Sequence, residues 1–91
     1  MDLQLRYSLA YAVVRPEETT KPHRLRTSEV YYIIKGKGEM HINDETAVVG
    51  PGDAIYIPPH ARQFISNTGS TDLVFVCLVD PAWRKEDEEV L

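Results

Sequence analysis

The chain has 91 residues, a formal charge of -4 and a single cysteine, Cys77. That length suits one domain, 1-91, with a small core, and one cysteine excludes an intrachain disulfide and a cysteine-based zinc knuckle. An acidic chain without a basic stripe is not built for nucleic acid, and no apolar run reaches membrane-spanning length, so the expected partners are small molecules or protein and the expected location is cytoplasmic.

Leu3, Leu5, Tyr7, Leu9, Tyr11 and Val13 fall on alternate positions, the period of a strand. Eleven residues are long for a small domain. Either part of this strand overhangs and pairs with a second subunit, or it is an edge strand with a frayed start. A polar loop with two prolines, Arg15 to Pro22, follows. His23 then precedes Glu29 by six residues, and Glu29 opens the most β-prone run, Val30 to Ile34. Alternation puts Glu29, Tyr31 and Ile33 on one face, so a carboxylate stands at the mouth of a core. It is costly there unless something positive or hydrogen-bonding meets it.

Gly36-Lys37-Gly38 reverses the chain. Met40 and Ile42 alternate with Glu39 and His41, which places His41 outward, and Asn43-Asp44 forms a hairpin tip. Ala47 to Val49, Ala54 to Ile57 and Arg62 to Ser66 are short extended runs separated by turns. Leu73 to Val79 is nearly continuous in apolar residues, the pattern of a strand covered on both faces. After it, Asp80-Pro81 reads as a helix start, Trp83 is expected to fold back on the barrel, and Arg84 to Glu89 reads as a charged, solvated turn. About seven short strands with no helical period before the tail describe an all-β sandwich or barrel with a short helical turn at its C-terminal end.

Two stretches of this pattern resemble the motifs of the cupin superfamily, small jelly-roll barrels. The first family motif runs glycine, five residues, His-x-His, three or four residues, glutamate, six residues, glycine. Here, over 17-36, it reads His23-Arg24-Leu25, three residues, Glu29, six residues, Gly36, with Leu25 in place of the second histidine and Glu17 in place of the leading glycine. The second motif, over 52-67, keeps Gly52, Pro58 and Asn67, with His60 at its second glycine position and Gln63 at its histidine position. The resemblance implies a jelly-roll barrel whose interior holds a divalent metal.

Carried over position by position, the ligands would be His23, Glu29 and Gln63, a set suited to Mn, Fe, Co, Ni or Zn. Tyr31, Ile33, Met40, Ile65, Phe75 and Cys77 would line a pocket for a small oxygenated or carbohydrate-like molecule. Glu29 would be a ligand or base, and Tyr31 is the second candidate catalytic group. Isomerase, lyase and dioxygenase chemistry all fit. The competing reading is a non-catalytic binding module with a metal-free pocket, in which Gln63 donates to Glu29 and Arg26 or Arg62 balances its charge. His60 reads as a surface residue, and Cys77 as a small buried hydrophobe unless a metal lies near it. The apolar first strand and the Val90-Leu91 tail exceed what so small a barrel covers, which predicts a homodimer.

Overall fold

The computed structural model describes residues 5–91. Among these described residues, nine strands form two antiparallel sheets packed face to face. In chain order they are β1 (Ser8–Val14), β2 (His23–Leu25), β3 (Ser28–Lys35), β4 (Gly38–Ile42), β5 (Glu45–Val49), β6 (Ala54–Ile57), β7 (Gln63–Asn67), β8 (Leu73–Asp80) and β9 (Glu88–Val90). One sheet has the order β1-β8-β3-β6, the other β5-β4-β7-β2-β9. The expected all-β architecture is the one observed. None of its helices is long and apolar enough to cross a membrane among the described residues.

Alternation decides which residues make the core. Ile33, Ile57, Ile65, Leu73 and Phe75 point between the sheets and are buried, as is Met40. Asn67 ties the two sheets together: its Nδ2 donates to the carbonyls of Val14 (2.9 Å) and Thr71 (2.8 Å), and its Oδ1 accepts from the Gly69 N–H (2.9 Å). The asparagine of the second motif is thus a clamp on the fold.

The departures from glycine have a backbone consequence. Glu17 and His60 both hold a left-handed backbone, with φ of 69° and 68°. The turns keep the geometry that glycine would adopt freely, and an ordinary residue bears about 1–2 kcal/mol of strain for it. Gly36, at φ 91°, is a glycine by necessity, because a Cβ there would collide with the Asp72 carbonyl.

Three expectations need correction. The first strand begins at Ser8, and its alternating apolar residues Leu9, Tyr11 and Val13 are exposed while Ala12 and Val14 face the core; Leu3 lies outside the described residues. No helix starts at Asp80-Pro81. β8 runs through Asp80, which holds extended backbone there, with its carbonyl accepting from Ser28 Oγ (3.0 Å) and its carboxylate paired with Arg6 (3.2 Å). The charged tail is only partly a solvated turn: a 3-10 turn at Lys85–Asp87 leads into β9, which pairs with β2. Trp83 returns to β1 through its backbone N–H, bonded to Ser8 Oγ (3.0 Å), while the ring stays half exposed.

Candidate metal and ligand site

The polar end of the barrel is assembled from both sheets. β3 of the four-stranded sheet supplies Glu29, set between Ile57 of β6 and Val79 of β8. In the five-stranded sheet β2 and β7 meet at His23 and Gln63, so the imidazole and the amide leave the same face side by side. Gln63 Nε2 crosses between the sheets and donates to Glu29 Oε1 at 2.9 Å. Glu29 is 5% exposed and Gln63 1%.

Burial is the main force on the Glu29 carboxyl and raises its pKa above the usual value; the Gln63 hydrogen bond and His23 pull it down, and Glu88 pushes it up again. Glu88 was assigned to the solvated tail by its surroundings in the sequence. In the fold it stands opposite Leu25 on β9, with Oε2 4.0 Å from His23 Nε2. The position that lacks a second imidazole therefore has a carboxylate beside it. The one sequence hint was the apolar Val90-Leu91 after the acidic run, which marks the end of a pairing segment.

His23 Nδ1 lies 3.1 Å from the Lys21 carbonyl, which can only accept, so Nδ1 carries the proton. In the neutral ring Nε2 then presents a lone pair. A backbone carbonyl that fixes the tautomer in this way is the usual support of a metal-ligating histidine. Gln63 Oε1 is buried without a partner among the described residues, and two carboxylates, Glu29 and Glu88, face one imidazole. This donor set, with its surplus of negative charge and an orphaned amide oxygen, fits a divalent cation of hard to intermediate character. Among the described residues no three His, Cys, Asp or Glu side chains converge on one point.

Deeper in the barrel Tyr31 stands opposite Cys77 and stacks on Phe75, with ring centroids 4.6 Å apart. Burial raises the Tyr31 pKa and pushes the Cys77 thiol up to about 12, with Glu29 adding to both; both groups stay protonated at neutral pH. Ile33, Met40, Ile65 and Phe75 belong to the packed core. Arg26 and Arg62, offered as counter-ions to Glu29, are both exposed; Arg62 lies over the Phe64 ring at 5.4 Å. His41 faces outward as expected, 2.8 Å from Glu39 and stacked on Phe64. A cleft of about 240 Å³ opens beside the site, bordered by Arg24, Leu25, Arg26, His60 and Glu88.

Comparison with known proteins bears on the fold. The cupin domain profile matches residues 10–79. An uncharacterized protein of Methanocaldococcus jannaschii, MJ1618, is 40% identical over 88 residues, 96% of this chain and 70% of its own length. A 5-aminosalicylate 1,2-dioxygenase of Comamonas is 33% identical over 72 residues, 79% of this chain but 19% of its own. The solved structure of the plu4264 protein of Photorhabdus luminescens superposes with a TM-score of 0.80 at 30% identity, covering 93% of this chain and 68% of that one. Shorter matches include a glucose-6-phosphate isomerase and an oxalate-binding protein. The matched span runs from β1 to β8 and holds both motifs, whose polar positions meet between the sheets: the chain belongs to the cupin family.

Proposed function

We propose that this protein holds a divalent first-row metal at the polar end of the barrel, through His23 Nε2, Glu29 and Gln63 Oε1 with Glu88 as a further donor, and with it binds a compact oxygen-rich small molecule. The observation that carries this reading is Gln63 Oε1, a buried acceptor without a donor among the described residues. Leaving such a group unmatched costs about 1–3 kcal/mol, a cost that a bound guest removes. An ion bound there supplies Lewis acidity toward a carbonyl or hydroxyl oxygen. The chain supplies the rest: Tyr31 offers a protonated hydroxyl, Cys77 stays an uncharged thiol, and the apolar residues beneath them keep water out of the deep end.

The molecules named for the relatives, an aminosalicylate, a sugar phosphate and oxalate, all carry oxygen atoms placed to chelate. Chemistry of isomerase, lyase or dioxygenase type on such a molecule is the catalytic form of the proposal, with Glu29 and Tyr31 as the groups that would touch it. A second reading is favoured by one observation, the amide hydrogen of Gln63 already donated to Glu29. It makes the protein a binding module with a metal-free polar pocket.

Metal titration of untagged protein by calorimetry separates the two. One ion per chain is expected, abolished by Glu29→Ala with the far-ultraviolet circular dichroism unchanged. Protein that stays metal-free in excess Mn²⁺, Ni²⁺ and Zn²⁺ overturns the metal site and leaves the binding module.

A further inference from the structure

On one side the two sheets do not close on each other. β5 ends the five-stranded sheet and β6 ends the four-stranded one. Between these edges lies a slot of about 100 Å³ lined by Met40, Ile42, Ala47, Val49 and Ile55, with the exposed Glu45 at its lip. Thr46 also borders it, but its hydroxyl is engaged on the outer face, 3.3 Å from His41 Nδ1. Met40 and Val49 are buried, whereas Ile42 and Ile55 pack against the core and are only partly covered.

Strand register joins this slot to the polar site. Ile42 of β4 stands opposite Gln63 of β7, and Ile55 of β6 stands opposite Tyr31 of β3. Residues paired in this way share a face, with Cβ atoms about 5 Å apart. The apolar walls therefore begin one cross-strand step from the Gln63 amide and the Tyr31 ring.

We infer that the slot receives a branched alkyl arm of the ligand whose oxygens meet Glu29 and Gln63, an inference that rests on the ligand site proposed above. Size limits the arm. A closed cavity of roughly 150 Å³ admits benzene, and this slot is smaller and open on one side, which suits about three or four carbons. Charge limits it further. A phosphate or carboxylate at the end of the arm would meet the Glu45 carboxylate, and no cationic side chain lines the slot to offset it among the described residues. Position limits it as well. With a single cross-strand step between Gln63 and Ile42, the arm has to leave from a carbon next to the chelating oxygens. A 2-hydroxy acid with a branched aliphatic side chain meets all three conditions, whereas a ligand made of oxygens alone leaves the slot unused.

Two acids with the same chelating oxygens test the inference: glycolate, which has no arm, and 2-hydroxy-4-methylpentanoate, which has a four-carbon one. Each is titrated into the full chain by ¹³C-methyl nuclear magnetic resonance, with and without one equivalent of Zn²⁺. The readout is the Met40 methyl, and the chain's other methionine is Met1. Each buried methylene is worth about fourfold in affinity, so in a half-open slot the branched acid should bind at least roughly tenfold more tightly than glycolate and shift the Met40 resonance. Ala47→Phe fills the slot from an exposed edge position and should bring the two acids within about threefold; Ala47→Leu replaces it if that variant does not fold. Equal affinities overturn the inference. So does a preference that survives the filled slot, or a failure of both acids to bind in either state. A Met40 resonance that moves with protein concentration alone would put a second copy in the slot and overturn it too. Loss of Zn²⁺ binding by itself removes the metal from the proposed site, while the preference between the acids in metal-free protein still decides the slot.

Discussion

The two sheets build one interior but present opposite exteriors. Outward residues of the five-stranded sheet include Glu39, Ser66, His41, Phe64 and Arg24, and they pair among themselves: His41 with Glu39 at 2.8 Å, Arg24 with Glu89 at 3.7 Å. The four-stranded sheet shows Leu9, Tyr11, Tyr32 and Tyr56 to the outside instead. The first face is mostly polar, with Val48 as an exposed exception, whereas the second is mostly apolar. Their inner faces differ too. The four-stranded sheet contributes one buried acid above an aromatic pair, Tyr31 and Phe75, and the other sheet brings the nitrogen and amide donors to it. Neither sheet holds a site by itself, so what positions the site is the distance between them.

Several experiments would break or sharpen this contrast. The largest effect is expected at Cys77, on the inner face of the four-stranded sheet. Its thiol is pushed up to about 12 from an ordinary value of 9.0, so the thiolate fraction at neutral pH falls and alkylation by iodoacetamide should run roughly a thousandfold slower than for an exposed cysteine; a rate within tenfold of free cysteine would place Cys77 outside the apolar interior. Next is the clamp between the sheets. Asn67→Ala leaves the Val14 and Thr71 carbonyls without their donor and should cost about 2–3 kcal/mol, seen as a fall in Tm of roughly 10 °C or more. An unchanged melt would mean that the sheets are held by apolar packing alone.

On the five-stranded side, Leu25→His adds an imidazole beside Glu88 and should raise metal affinity at least tenfold by calorimetry, because ligand number limits the set as it stands; unchanged affinity would place any metal elsewhere. The smallest effect belongs to the two left-handed turns. Glu17→Gly and His60→Gly relieve backbone strain but loosen the unfolded chain, and each should stabilise by about 0.5–1 kcal/mol in denaturant melts. A destabilisation of that size would show that the side chains hold those turns by contacts of their own.

Much of this was legible in the chain. The runs that became β3, β4, β6 and β8 carry a period of two or a dense apolar stretch, and turn residues bound them, so their existence did not depend on the fold. The side of the sheet that each face would occupy was harder to read. In β1 the large residues Leu9, Tyr11 and Val13 alternate with Ala10, Ala12 and Val14, and a period of two is equally consistent with either set inside. In the fold Ala12 and Val14 turn to the core, and Leu9, Tyr11 and Val13 turn outward. Three-residue strands such as β2 and β9 carry too few alternations to register at all, which is why Glu88 was placed in solvent.

The sequence alone determined the all-β architecture, the spacing that carries His23, Glu29 and Gln63, and the glycine at Gly36, since strand period and turn conformation are local properties of the backbone. Tertiary structure decided which groups meet. The Gln63 bond to Glu29, the approach of Glu88 to His23 and the uncovered apolar face all join residues far apart along the chain, and such contacts exist only once the sheets have closed on each other.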